Sequence, residues 1–264
     1  MNYQGVLTKM TTELSSTVQY YLIFEQDFLH LNQLLDKRIS INFLRYSCMS
    51  CKRQKKIFRN GYCYNCHTTL PDAGDWIMRP ELSKAHLEIE DRDLKYEKQV
   101  QLAPHVVYLA NSSNVKVGVT RKTQVPTRWI DQGAHEAIEV VEVPNRYLAG
   151  ITEVALMKHV ADKTNWRQML TNNCKELDLA EIKYSLKQHL PEEVKEYYLE
   201  TTESLSISYP VLQYPTAVKP FNLGKAPFYE GVLKGIKGQY LIFEDGNAFN
   251  VRSHEGFEVQ LCVK

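Results

Sequence analysis

Short runs of β-branched, leucine and aromatic residues alternate with polar breaks at both ends of the chain. Runs of this kind, bounded by turn residues, predict β-strands. Within residues 1–47 the predicted strands are Gly5–Lys9, Val18–Phe24, Phe28–Leu31 and Ile39–Leu44. Within residues 205–264 they are Tyr229–Lys234, Gln239–Phe243, Ala248–Arg252 and Phe257–Val263. Asp245-Gly246 is typical of the tight turn of a hairpin.

The two terminal segments also resemble each other. Tyr3-x-Gly5-Val6-Leu7 recurs as Tyr229-x-Gly231-Val232-Leu233. The run from Gln19 to Glu25 recurs, with one tyrosine fewer, from Gln239 to Glu244. If the repeat is real, the two ends form one discontinuous sheet or barrel into which the middle of the chain is inserted. The alternative is coincidence between strands of similar composition.

The middle of the chain has a different pattern, in which the hydrophobic period changes between strand and helix. The predicted order is β-β-α-β-α, with strands at Val106–Ala110, Val115–Val119 and Ala137–Val143, a helix from Pro126 to Gly133, and a helix from Tyr147 to about Asp162. A helical segment follows over residues 173–204, where Pro191 marks a boundary.

These patterns predict an α+β protein made of several segments. The predicted segments are an N-terminal β segment (1–47), a zinc ribbon (48–70), a connecting segment (71–104), a β-β-α-β-α module (105–172), a helical segment (173–204) and a C-terminal β segment (205–264), the last joined with 1–47 if the repeat is real.

Composition narrows the class of protein. The 264 residues are 44% hydrophobic and 24% charged, which is typical of a globular chain. Lysine plus arginine is 32 and aspartate plus glutamate is 31, so affinity for nucleic acid has to come from a local patch. The longest uncharged stretches contain proline and polar residues and cannot span a bilayer, and the first residues lack the pattern of a signal peptide. We therefore expect a cytoplasmic protein with no membrane partner, and no small-molecule cofactor is evident.

Four of the six cysteines fall close together, as Cys48-x2-Cys51-x11-Cys63-x2-Cys66. In a reducing compartment this spacing is typical of a metal site, because a two-residue gap lets two thiolates of one turn reach the same ion. Two such turns complete a tetrahedral site, so we predict a structural Zn²⁺ with no open position. The alternative is four unrelated buried thiols.

The loop between the two cysteine pairs is basic. Its cations are Lys52, Arg53, Lys55, Lys56 and Arg59, and the aromatic residues Phe58, Tyr62 and Tyr64 are interleaved with them or follow them. Cations for phosphates and aromatic faces for bases are what single-stranded nucleic acid requires. The loop therefore predicts contact with DNA or RNA. The alternative is a solvated hairpin tip whose aromatic residues pack around the metal.

The order β-β-α-β-α, together with Tyr108, Lys116-Val117-Gly118, Arg128 and Glu153, resembles the GIY-YIG nuclease domain. The whole chain is similar to an uncharacterised prokaryotic family of unknown function that joins a four-cysteine zinc ribbon to such a domain. Lys116 stands where the nuclease family often has a tyrosine.

The resemblance implies a catalytic set made of Tyr108, Lys116, Arg128 and Glu153. Glu153 would hold Mg²⁺ or Mn²⁺, Arg128 would bind the phosphate, and Tyr108 would orient or deprotonate the attacking water. Lys116 would place a second cation on the phosphate. The structural alternatives are a tyrosine that only packs and an ion pair between Arg128 and Glu153.

Three functions follow from these features. The first is a metal-dependent endonuclease that uses the zinc ribbon to bind its substrate. The second is a catalytically silent DNA- or RNA-binding module, since a fold does not by itself imply an activity. The third is a scaffold whose β segments bind another protein.

Overall fold

The computed structural model of the protein describes residues 1–25, 27–160 and 165–264. Its strands are β1 (Asn2–Val6), β2 (Thr11–Glu13), β3 (Gln19–Ile23), β4 (Phe28–His30), β5 (Arg38–Tyr46), β6 (Ile57–Arg59), β7 (Tyr62–Cys63), β8 (His105–Asn111), β9 (Val115–Arg121), β10 (Glu136–Val143), β11 (Leu205–Ser206), β12 (Lys219–Pro220), β13 (Phe228–Lys237), β14 (Tyr240–Phe243), β15 (Asn247–Asn250) and β16 (Phe257–Val263).

The α-helices are α1 (Tyr64–Thr69), α2 (Leu94–Gln101), α3 (Thr127–Asp131), α4 (Arg146–Leu156), α5 (Trp166–Leu170) and α6 (Leu179–Leu186). Short 3-10 helices occupy Leu31–Leu34, Pro71–Ala73, Asp75–Ile77, Pro80–Leu82, Ala85–Leu87, Lys122–Gln124, Lys187–His189, Glu192–Tyr197 and Arg252–His254. The predicted mixed α+β class is confirmed.

The chain divides into two compact units. The terminal unit consists of Met1–Thr68, Leu170–Asn172 and Ile207–Lys264. The central unit consists of Thr69–Met169 and Asn173–Ser206.

Both ends of the chain contribute strands to one sheet of the terminal unit. Its order is β1-β16-β5-β13-β14-β15-β12, and each neighbouring pair is antiparallel except β12 and β15. Two smaller sheets, β2-β3-β4 and β6-β7, belong to the same unit. Among the described residues none of these sheets closes into a barrel, so the predicted alternative of a discontinuous sheet is the one observed.

The sequence repeat corresponds to a repeated contact. A methyl group added at Gly5 would lie 2.5 Å from Cδ1 of Phe24, and one added at Gly231 would lie 3.1 Å from Cδ1 of Phe243. Phe24 and Phe243 occupy equivalent positions in the two copies of the motif. In both copies the absence of a side chain on the glycine leaves room for an aromatic ring, which explains why the two residue types recur together.

The central unit is built on a second sheet, with the antiparallel order β11-β10-β8-β9. All seven residues of β8 are buried, because this strand has a neighbour on each side and is covered on both faces. The hydrophobic core of the central unit includes Val107 and Leu109 of β8, Val140 of β10, and Ala149 and Leu156 of α4. The predicted order β-β-α-β-α is the order of β8, β9, α3, β10 and α4.

Several predicted elements differ in their bounds from those observed. The first strand is Asn2–Val6 and not Gly5–Lys9, because the chain leaves the sheet after Leu7, whose N–H donates to the carbonyl of Phe257 at 2.8 Å. The helix predicted to run from Tyr147 to about Asp162 is Arg146–Leu156, and Asp162 lies outside the described residues.

The segment 173–204 is predicted to be helical. Among its described residues, the one α-helix is α6. Leu190 is extended because the following Pro191 disfavours helical backbone, and a 3-10 helix then begins at Glu192. The predicted boundary at Pro191 is therefore confirmed, while the amount of α-helix is smaller than expected.

Within the part of the chain that the structure describes, no helix has both the length and the hydrophobicity required to cross a bilayer.

Candidate functional site

The four predicted metal ligands lie together in the terminal unit. The Sγ atoms of Cys48, Cys51, Cys63 and Cys66 are all within 4.8 Å of one another, and those of Cys51 and Cys63 are 3.9 Å apart. A tetrahedral zinc ion with Zn–S bonds of about 2.3 Å requires Sγ atoms roughly 3.8 Å apart. This four-cysteine group could therefore hold a structural metal ion such as zinc, as the spacing of the cysteines predicts.

The backbone around the group is shaped by a tight turn. Asn60 and Gly61 both have positive φ, of 50° and 75°, and connect β6 to β7 in the manner of a hairpin turn. The carbonyl of Gly61 accepts from the N–H of Met49 at 2.9 Å, which brings the segment carrying the first cysteine pair against the hairpin that carries the second.

Backbone N–H groups favour the thiolate form of Cys48. Its Sγ accepts from the N–H of Cys63 at 3.3 Å. Burial raises the pKa of this thiol, but hydrogen bonds from the N–H groups of Cys63, Cys51 and Ser50 together outweigh burial and lower the pKa to about 6. A thiolate at neutral pH is the form that ligates a metal.

The basic loop is fully accessible. Lys52, Arg53, Lys55, Lys56 and Arg59 are all exposed, and none forms an ion pair with a described residue. Phe58 is 49% exposed and contacts the rings of Tyr64 and His67 edge-on, at centroid distances of 5.3 and 5.2 Å. The Arg59 guanidinium lies 5.5 Å from the centroid of Phe58. Cations and accessible aromatic surface therefore share one face of this loop.

Tyr108 is a fully buried residue of β8 in the central unit. It lies opposite Gly118 on β9, and a methyl group added at Gly118 would be 2.6 Å from the tyrosine hydroxyl oxygen. The hydroxyl accepts a hydrogen bond from Nε2 of Gln132, just after α3, at 2.6 Å. Burial raises the pKa of Tyr108, while the nearby Arg128 and Gln132 oppose that rise.

Glu153, on α4, lies in the electrostatic surroundings of Tyr108 and Arg128. Its carboxylate forms no hydrogen bond or ion pair with a described residue. Burial, helped by the negative charge of Glu81, raises the pKa of Glu153 to about 7, although the positive charges of Arg146, Arg128 and Lys116 act in the opposite direction. Glu153 in turn raises the pKa of Tyr108, so the structure brings all four residues of the predicted catalytic set into one electrostatic neighbourhood.

Two further residues of this neighbourhood were missed by the sequence analysis. Arg146 is buried, and donates from Nε to the carbonyl of Trp76 at 3.1 Å and from Nη2 to that of Ile77 at 2.8 Å. Burial lowers its pKa to about 10. Arg146 precedes Glu153 by seven residues, and this two-turn spacing on a helix is the signal that could have placed both on one face.

His105, at the start of β8, orients Arg146. Its Nδ1 lies 2.7 Å from the carbonyl of Ala103 and its Nε2 lies 3.4 Å from Nη1 of Arg146. Burial lowers the pKa of His105 to about 4, so the ring is neutral at pH 7. Its Nδ1–H then donates to Ala103, and its Nε2 accepts from Arg146.

Similarity to known proteins extends over most of the chain. A family model described as "Protein of unknown function (DUF2797)" matches residues 36–259. No curated protein and no solved structure gave a significant match. The matched range contains the four-cysteine group, the basic loop and all four residues of the predicted catalytic set.

Proposed function

The chain belongs to this family of unknown function, as its sequence leads one to expect, and we propose that it binds nucleic acid and hydrolyses phosphodiester bonds. The proposed active site is the Tyr108 cluster, made of Tyr108, Lys116, Arg128 and Glu153. The observation that carries the proposal is the carboxylate of Glu153, which lacks a hydrogen-bonded or ion-paired partner among the described residues and lies near three cations and one other acid, Glu81.

The charges of the cluster suit a phosphodiester and a metal ion together. Arg128 and Lys116 would neutralise the phosphate as negative charge grows in the transition state. Glu153 would hold Mg²⁺ or Mn²⁺, because a hard cation prefers carboxylate oxygen and these oxygens are not engaged by described protein groups. The ion would supply charge neutralisation at the phosphate and lower the pKa of a water molecule.

Tyr108 would act as a hydrogen-bonding group in this reaction. Its pKa is raised, so at neutral pH its oxygen keeps the proton. Gln132 donates to that oxygen, which leaves the hydroxyl proton to be donated to a phosphate oxygen or to the attacking water. Of the two roles expected from the sequence, orientation is favoured over deprotonation.

The four-cysteine group would hold zinc as a zinc ribbon, and the loop that it organises would bind DNA or RNA. All four ligand positions are supplied by cysteines, so the zinc would be structural. The exposed Lys55 and Lys56 would contact phosphates.

A second candidate function is nucleic-acid binding without catalysis. The specific observation in its favour is the replacement of the second motif tyrosine by Lys116, since a protonated amine cannot accept a hydrogen bond.

A cleavage assay on end-labelled single-stranded, duplex and branched DNA and RNA, with Mg²⁺ or Mn²⁺, tests the proposal. We expect cleavage by the wild-type protein, its loss in Glu153→Ala with binding retained, and no effect of Glu181→Ala, an exposed glutamate of the same unit. Cleavage that survives Glu153→Ala would contradict the assignment of this site. Binding without any cleavage would favour the silent module, and neither binding nor cleavage would favour the protein scaffold.

A further inference from the structure

A cleft of about 580 Å³ opens in the terminal unit, beside the four-cysteine group. Three segments that are distant in sequence line it: the hairpin around residues 56–61, the turn at 222–225 and the turn at 250–255. The sequence analysis assigned no binding role to either of the last two segments. We call this space the hairpin cleft.

The hairpin cleft is lined by positive charge. Lys56 and Arg59 come from the hairpin, and Lys225 and Arg252 come from the two turns, while Glu255 is the one acid among the described lining residues. Lys56, Lys225 and Arg252 form no ion pair with a described residue. Cations that line one cleft raise the local concentration of anions, because the low-dielectric walls focus their field.

Buried contacts hold the two turns in place. The ring of His254 is 1% exposed, its Nε2 accepts from the N–H of Leu223 at 3.1 Å, and its Nδ1 lies 2.7 Å from the carbonyl of Asn250. One neutral histidine thus joins the turn that carries Lys225 to the turn that carries Arg252. The backbone positions that carry these two exposed cations are therefore set by the fold.

A second contact fixes the hairpin against the 250–255 turn. Gly256 has a φ of 81°, and a methyl group added there would lie 2.7 Å from Cδ1 of Ile57 and 2.9 Å from the carbonyl oxygen of Gly61. The hairpin consequently packs directly on the end of the turn, and the cations of both face the same cleft.

The remaining lining groups suit nucleotide bases. Phe58 offers an accessible ring, and Tyr46 packs edge-on against Phe257 at 4.9 Å, which holds its ring at the cleft wall. The amide oxygens of Asn222 and Asn250 accept from the N–H groups of Gly224 at 2.8 Å and Ser253 at 3.1 Å. Each NH₂ group is left without a partner among the described residues and can donate to a base edge.

We propose that the hairpin cleft binds a single-stranded segment of DNA or RNA. Its phosphates would contact Lys56, Arg59, Lys225 and Arg252, and its bases would stack on Phe58 and Tyr46. Single strands are favoured over duplex because a base reaches an aromatic side chain only when it is unpaired from the other strand and unstacked from its neighbours. Free asparagine NH₂ donors and aromatic rings favour this ligand over an acidic peptide, which would need the cations alone.

This inference rests on the nucleic-acid contact proposed for the basic loop, and extends it to residues that lie more than 150 positions further along the chain. It does not depend on hydrolysis by the Tyr108 cluster.

The test measures binding of the full-length protein to fluorescent single-stranded DNA and RNA oligonucleotides of about 12 nucleotides, a length that single-strand-binding folds cover. The variant is Lys225→Gln/Arg252→Gln. The matched control is Lys37→Gln/Lys219→Gln, which removes two exposed cations of the same unit that do not line the cleft. Affinity is measured over a range of salt concentrations, and a duplex of the same length is a competitor.

We expect the cleft variant to bind at least about tenfold more weakly at 0.1 M salt, and its plot of log K against log salt to lose about 1.4 units of slope, since each phosphate contact on a single strand contributes about 0.7. The control should bind as the wild type does. Photocrosslinking of the wild-type protein to halogenated bases should label Phe58 or Tyr46.

The proposal would be overturned if the cleft variant bound with unchanged affinity, or if the control lost as much affinity as the cleft variant. It would also be overturned if duplex displaced the bound oligonucleotide as effectively as single strand. Capture of an acidic peptide in preference to both oligonucleotides would overturn it as well. The two proposals can fail separately. If single-strand binding depends on the cleft but the wild type does not cleave, hydrolysis alone is contradicted. Cleavage that persists unchanged in the cleft variant, with unchanged binding, would contradict the cleft alone.

Discussion

The hydroxyl of Tyr108 lies so close to Gly118 on the neighbouring strand that a methyl group at Gly118 would be 2.6 Å from its oxygen. The glycine of the Lys116-Val117-Gly118 motif therefore determines where the phenol of Tyr108 sits. It also permits the 2.6 Å hydrogen bond from Gln132 to that phenol.

We expect Gly118→Ala to displace Tyr108 and to lower the free energy of unfolding by about 1–3 kcal/mol, the usual cost of overpacking a core. Urea denaturation gives the stability, and the cleavage assay gives the effect on activity. Thr123→Ala, an exposed change just after the same strand, should alter neither. A Gly118→Ala protein as stable and as active as the wild type would show that the position of Tyr108 is not constrained in this way.

Removal of metal should destabilise the terminal unit. A ligand whose free concentration is about 1,000 times its dissociation constant stabilises the folded state by about 4 kcal/mol. A chelator or Cys63→Ser should therefore lower the thermal midpoint of unfolding markedly. Cys262→Ser is the matched control, since Cys262 is a thiol of the same unit outside the four-cysteine group. Elemental analysis should find one zinc per chain in the wild type and in the control. A wild-type protein free of zinc, with a midpoint insensitive to chelator, would contradict the site.

His105 should make the stability depend on pH. Its pKa is about 4 in the folded protein against a usual 6.5, so the unfolded chain takes up a proton first as the pH falls. The stabilisation that comes from neutral His105 is fully present above pH 6.5 and is lost as the pH falls from 6.5 to 4. At about 1.36 kcal/mol per pKa unit, the loss is at most roughly 3 kcal/mol.

Other groups also titrate in this range, so the comparison is with His105→Gln, whose amide can both donate to Ala103 and accept from Arg146. Urea denaturation at pH 7 and pH 5 should show a smaller loss of stability for His105→Gln than for the wild type. Equal losses would mean that His105 does not contribute to the pH dependence.

The repeated glycine contact can be tested in the terminal unit. We expect Gly5→Ala to cost about 1–3 kcal/mol, because its methyl group would lie 2.5 Å from the ring of Phe24. Phe24→Leu in the Gly5→Ala background should recover part of this loss, which would reveal a coupling between the two positions. Strictly additive losses in the double variant would show that the two residues are independent. Ser15→Ala, at an exposed position of the same unit, is the control.

Local patterns predicted much of the fold. The strands β3, β5, β13, β14, β15 and β16 follow from alternation of hydrophobic residues between turn signals. Gly133, whose φ is 69°, comes two residues after the end of α3 at Asp131, where a residue that tolerates left-handed backbone is needed. The first strand was misplaced because a run of hydrophobic residues does not show where a chain leaves its sheet. In this chain the pairing of β1 with β16 extends from Asn2 opposite Cys262 to Val6 opposite Glu258, and β1 ends there.

By itself, the sequence determined the four-cysteine group, the repeat, and the ordered set of Tyr108, Lys116, Arg128 and Glu153. Each of these depends on short spacings or on an order of elements, and both are properties of the chain. Only the tertiary structure decided that Glu153 lies near Arg146 with no hydrogen-bonded partner among the described residues, and that the turns carrying Lys225 and Arg252 meet the hairpin at one cleft. These arrangements depend on burial and on contacts between distant segments, which no local pattern of residues encodes.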